Sequence, residues 1–141
     1  AYNVSKHAVV SLSETLFHDL SLVTDQVHCS VLCPYFVPTG IHKSHRNRPS
    51  DLANDAPPTQ SQMIAQAMIS KAVTSGKLTA AEIAERTFDA IRSDAFYIVS
   101  HPDALDGVRQ GAEDIMALRN PTDPFVHKPE LRAQLEAALR A

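Results

Sequence analysis

Glycine is scarce in this chain, four in 141 residues, where ordinary usage near 7% predicts about ten. The closest pair, Gly107 and Gly111, brackets Val108-Arg109-Gln110 inside a helical pattern. The tight G-x-G spacing of a phosphate-cradling loop is therefore missing. Cysteine is scarcer still, with two, Cys29 and Cys33. Both fall in one extended apolar run, where four residues span about 13 Å, roughly twice what a disulfide can bridge. They read as small buried hydrophobes in a reducing compartment, which points to the cytoplasm. Together with His42 and His45 they fit no standard zinc spacing, so no metal is expected. Charge of one sign is lacking too: 13 basic against 16 acidic residues leave a net −3. That excludes the basic footprint of a nucleic-acid or membrane-surface binder. No apolar run approaches the roughly 20 residues of a membrane span. The opening Ala1-Tyr2-Asn3 shows neither a basic start nor an apolar core, so no leader is expected in it.

The residues that are present alternate between helical and strand patterns. From about Asn3 to Val23, apolar Val9, Leu12, Leu16, Leu20 and Val23 recur at helical spacing. Tyr2 falls at the centre of that stripe and Lys6 at its margin, so both are expected to face protein. Val27–Cys33 is a β-branched-rich apolar run, expected as a buried strand that Pro34 ends. Tyr35 to Thr59 holds four prolines and a basic patch (His42, Lys43, His45, Arg46, Arg48), and its length suggests a lid or binding loop. A helix is expected over about Gln60–Thr74, with Gly76 just past its end as a stop. Thr79-Ala80-Ala81-Glu82 has capping-box form and opens another helix to about Arg92, with Ile83, Ala84, Phe88 and Ile91 inward. Ala95–Ser100 reads as a second buried strand closed by His101-Pro102. A helix follows over about Ala104–Arg119, with Asp103, Asp106, Glu113 and Asp114 on an exposed face, and a marginal one starts near Pro129. Helix, strand, helical crossover, strand, helix is half of an α/β layered fold. Two strands make a poor sheet, so the isolated piece is expected to be aggregation-prone or molten.

The chemistry lies at the front. Tyr2 and Lys6 stand one helical turn apart, so both side chains can reach one reacting centre. A nearby cation favours the phenolate, which suits the tyrosine to general acid–base work. Tyr-x-x-x-Lys alone is a weak signal, since a chain this long contains one by chance about one time in four. Its setting adds weight: the helix leads into a strand that ends Pro34-Tyr35-Phe36-Val37-Pro38-Thr39.

In these features the chain resembles the short-chain dehydrogenase/reductase family. There the Tyr-x-x-x-Lys helix precedes a strand ending Pro-Gly-x-Val-x-Thr, and Pro34, Val37 and Thr39 match in order and spacing. Val4-Ser5-Lys6-His7-Ala8-Val9, Leu12-Ser13-Glu14 and the stretch from Phe96 to Pro121 are similar to family members as well. The resemblance implies the C-terminal half of a Rossmann-type doubly wound parallel sheet, with two strands and about five helices. Its expected partition is a catalytic helix over about 1–24, a strand over 27–33, a substrate loop with helices over about 35–92, a strand over 95–100 and C-terminal helices over 104–141. It also implies an NAD- or NADP-dependent interconversion of a carbonyl and a secondary alcohol. Tyr2 would move the proton, and Lys6 would tune Tyr2 and bind the nicotinamide ribose. Pro34, Val37 and Thr39 would hold the nicotinamide end, while Tyr35, Phe36, Met63 and Ile64 would line the substrate. The family's glycine-rich loop and catalytic serine would lie before Tyr2, so the chain alone is expected to be inactive. A homodimer or homotetramer is implied, and Val4, Ala8, Thr15 and Leu22 supply a weakly apolar second helix face. Two alternatives stay open, an extended-type epimerase/dehydratase and a non-catalytic binding module. Tyr35 departs from the pattern, standing where the family has glycine.

Overall fold

The computed structural model describes residues 2–140; Ala1 and Ala141, the outer ends of the first and last expected helices, lie outside the described residues. In chain order the elements are α1 (Tyr2–Val23), β1 (Val31–Cys33), α2 (Gln60–Thr74), α3 (Ala80–Arg92), β2 (Tyr97–Val99), α4 (Leu105–Met116) and α5 (Pro129–Arg140). Short 3-10 segments occupy Gly40–Asn47, Ser50–Leu52 and Pro102–Ala104. The chain divides into two compact units. One joins the chain up to Pro38 with Gly76–His101, and the other joins Thr39–Ser75 with the chain from Pro102 onward.

The first unit is the α/β part. β1 and β2 pair in parallel, with Val31 opposite Tyr97, Leu32 opposite Ile98 and Cys33 opposite Val99. Val31 and Ile98 are buried. They sit one register step apart, so they leave opposite faces of the ladder and both faces carry core. α3 lies against β2 and buries Ile83. α1 reaches the sheet through the Tyr97 hydroxyl, which donates to Glu14 Oε1 at 2.6 Å, and through Phe17 edge-on to Phe96 at 5.0 Å.

Both strands are shorter than the apolar runs that announce them. The ladder starts only after the chain leaves a left-handed turn at Asp94 (φ 55°). The first bond across is Val31 N–H to the Phe96 carbonyl at 2.7 Å. It stops where the Ser100 side chain replaces a backbone partner. The expected burial of α1 is corrected more sharply. None of its residues is buried, and Leu12 is 70% exposed. A helix of 22 residues runs about 33 Å, far more than three-residue strands can cover.

In the second unit, α2 starts at a capping box in which Thr59 and Gln62 exchange side-chain and backbone bonds. It buries Val73, while Ile64 and Ala72 are half-buried and Met68 is exposed. α4 ends at Met116, three residues before the expected boundary, because the chain turns left-handed at Leu118 (φ 51°). Amides of Leu118 and Arg119 return to the Ile115 and Asp114 carbonyls, the paired bonds that end many helices. Val108, Ile115 and Met116 on α4 are exposed, and so are Phe88 and Ile91, which were expected inward on α3. Asp114, expected on an exposed acidic face, is instead buried.

That carboxylate has a structural reason to be inside. It accepts from Thr122 N–H (2.8 Å), Thr122 Oγ1 (3.1 Å), Gln110 Nε2 (3.1 Å) and the Arg119 guanidinium (2.9 Å). The Thr122 amide, foremost among these donors, holds its pKa below the ordinary carboxyl value. No described helix is long and apolar enough to cross a membrane.

Candidate active site

The lead residues sit on the first turn of α1. Lys6 Nζ lies 5.4 Å from the Tyr2 ring centroid, so the helix does place the two on one face. Tyr2 is 60% exposed and Lys6 is exposed too. This corrects the expectation that they point into protein, for the same reason that leaves the rest of α1 open. Among the described residues, both side chains are open to solvent.

The second group lies beyond the end of β1. Tyr35 is exposed and Val37 half-buried. Among the described non-glycine residues positive φ occurs at Asp94 and Leu118 alone, so Tyr35 stands in for the family's glycine without left-handed strain. Its amide donates to Ser100 Oγ at 2.9 Å. Its ring packs at 4.7 Å against Phe36 and 5.5 Å from the His101 ring. Ser100 Oγ lies 2.8 Å from His101 Nδ1, and the Arg86 guanidinium donates to the Ser100 carbonyl.

Sequence reading missed the roles of Ser100 and Gly76. His101-Pro102 reads only as a strand stop, although its place one strand over from Pro34-Tyr35 hints at a pairing between the two strand ends. Gly76 reads as a left-handed helix stop, yet no described glycine has positive φ. Its requirement is close approach, since a Cβ there would lie 2.4 Å from the Phe36 carbonyl oxygen and 2.9 Å from Pro38 Cδ.

The remaining expected site residues belong to the second unit. Thr39 caps the Gly40–Asn47 segment, its Oγ1 accepting from Ile41 N–H at 3.4 Å. On α2, Met63 is exposed and Ile64 half-buried. The basic patch rides on Gly40–Asn47 and its capping residue Arg48, with the Arg46 guanidinium over Gly40. Among the described residues no group of three or more His, Cys, Asp or Glu could hold a metal ion.

Elsewhere in the first unit, burial pushes the Cys33 thiol above its ordinary pKa, helped by Glu14. The bond to Glu14 raises the Tyr97 phenol, holding its proton on the oxygen that bridges sheet and helix.

No family model matches the chain. It is similar to a short-chain dehydrogenase/reductase from Burkholderia phymatum, solved in complex with NAD. The identity is 55% and the TM-score 0.85, over 87% of this chain and 44% of that one. It is 28% identical over 106 residues to the CLA biosynthesis dehydrogenase/reductase of Lactiplantibacillus plantarum, covering 73% of this chain and 37% of the relative. The chain thus spans less than half the length of either.

Proposed function

We propose that this chain, which matches part of a short-chain dehydrogenase/reductase in sequence and fold, supplies the proton-transfer residues of an NAD(P)-dependent oxidoreductase. The reaction interconverts a carbonyl and a secondary alcohol in the longer protein. One observation carries the reading: the Tyr2 phenol and Lys6 ammonium share one face and are both open to a ligand, on a helix that leads into the strand ending at Pro34.

The donor set suits a nicotinamide dinucleotide. A lysine ammonium offers three donors and no acceptor, which fits ribose hydroxyls. The hydride is the cofactor's contribution when it is bound. Tyr2 donates its phenolic proton to the oxygen of a carbonyl being reduced, or accepts it when an alcohol is oxidised. Lys6 places its ammonium beside the ring. The backbone of Pro34–Val37 lies beyond the carboxyl end of β1, where α/β folds take their ligands. Tyr35 and Phe36 give the substrate an apolar lining there. The bound NAD of the Burkholderia phymatum relative supports the cofactor class.

Exposed Val4 and Leu22 on α1 support self-association through that helix, which light scattering of the full-length protein reads directly. The functional reading is tested by titrating that protein with NADH and NADPH. It predicts saturable enhancement or quenching of nicotinamide fluorescence for at least one of them, and a weaker midpoint for Lys6→Ala. No response to either dinucleotide would refute it.

A further inference from the structure

Ser100 closes β2 with a side chain that none of the roles above uses. It is 2% exposed, and its hydroxyl serves two groups at once. It accepts the Tyr35 amide at 2.9 Å and lies 2.8 Å from His101 Nδ1. A hydroxyl has one proton to give. With one lone pair turned to the Tyr35 amide, the oxygen meets His101 Nδ1 with its proton or with its second lone pair, so it serves both partners in either ring tautomer. The Arg86 guanidinium anchors the same residue through its carbonyl.

The loop is confined from another side by Gly76. There the two backbones approach so closely that a Cβ would stand 2.4 Å from the Phe36 carbonyl oxygen. Residues 35 and 36 are thus fixed by main-chain contacts, one through an N–H and the other through a C=O.

We propose that Ser100 is a positioning residue for the dinucleotide. Its hydroxyl, backed by His101 and opposed by Gly76, sets the main chain of Pro34–Val37 in the conformation that receives the nicotinamide end. This rests on the functional reading above. It also explains why position 35 can carry tyrosine where the family has glycine. The loop uses the amide of that residue, at a φ outside the left-handed region, so its side chain is free to project and pack on His101.

The test uses the full-length protein and NADH or NADPH, whichever the wild type binds. Ser100→Ala removes the acceptor and leaves the Tyr35 amide without its partner. The dinucleotide Kd and KM should rise about tenfold, the scale of one lost hydrogen bond, with kcat changed far less. Hydrogen exchange at residues 35–37 should accelerate. Ser100→Cys, close in size and a weaker acceptor, should fall between the two and guards against a folding failure in the alanine variant. Asp114→Asn serves as the stability control, lowering Tm with Kd unchanged. If both Ser100 variants bind the dinucleotide as tightly as wild type, or if exchange in the loop is unaltered, the proposal is overturned while the functional reading stands. A wild type that binds neither dinucleotide overturns both.

Discussion

Replacing Gly76 by alanine should destabilise the protein, and the size follows from the geometry. The new Cβ would sit 2.4 Å from the Phe36 carbonyl oxygen, when real Cβ contacts essentially never fall below 3.0 Å. Something must therefore move by about 0.6 Å. The obstacles are a backbone carbonyl and a proline ring, neither of which can swing aside as a flexible side-chain tip can. Overpacking of this kind costs about 1–3 kcal/mol. Alanine recovers about 0.4–1 kcal/mol by narrowing the unfolded ensemble, since Gly76 needs no positive φ. Mid-range values of the two terms leave a net loss of about 1.3 kcal/mol. Urea denaturation of the full-length protein reads it as a lower midpoint at unchanged slope. Gly40→Ala is the internal comparison. Its Cβ would meet only the tip of Arg46, at 2.8 Å, which can rotate away, so its midpoint should move little. If Gly76→Ala were as stable as wild type within about 0.5 kcal/mol, the close approach would not govern this loop and the reasoning would fail.

Two further predictions concern the second unit. Gly107 and Gly111 lie inside α4 with nothing within 4 Å of a built Cβ, so alanine at each should raise stability by about 0.5–1 kcal/mol. A loss in the same urea assay would mean that another surface packs on that face. Asp114 has a depressed pKa through Thr122 and its other donors. Its contribution is therefore complete above the unfolded carboxyl value of about 3.9 and is lost as pH falls through the lower folded value. Asp114→Asn should lower Tm at neutral pH and narrow its gap to wild type below about pH 3. A gap that stays constant with pH would show that the carboxylate's charge contributes nothing.

What could be read from sequence divides along a physical line. Local signals placed α2 and α3 well, because their ends are set within a few residues by Thr59 with Gln62 and by Thr79 with Glu82. The parallel pairing followed from the order of strands and helices. Burial was read less well. Periodicity marks the face of α1 that is apolar but carries no information about what meets it, and Leu12 is largely exposed here. Asp114 resembles its acidic neighbours in sequence. Only the turn back through Thr122, eight residues later, shows why it is inside. A carboxylate near a helix C-terminus is electrostatically unfavourable unless it captures N–H donors, and that was the available hint. That Tyr2 and Lys6 share a face was legible because their relation is local to one helical turn. Ser100 and Gly76 were missed because their partners lie 65 and 40 positions away in sequence, at Tyr35 and Phe36.

The most direct test of the account is a comparison of Tyr2→Phe with wild type in the full-length protein, measuring steady-state turnover and dinucleotide binding together. Removing only the phenolic oxygen should lower kcat by about 100-fold or more, the scale of a lost general acid, with dinucleotide affinity and Tm nearly unchanged. Turnover that survives in Tyr2→Phe would contradict the central claim, whatever else the protein binds.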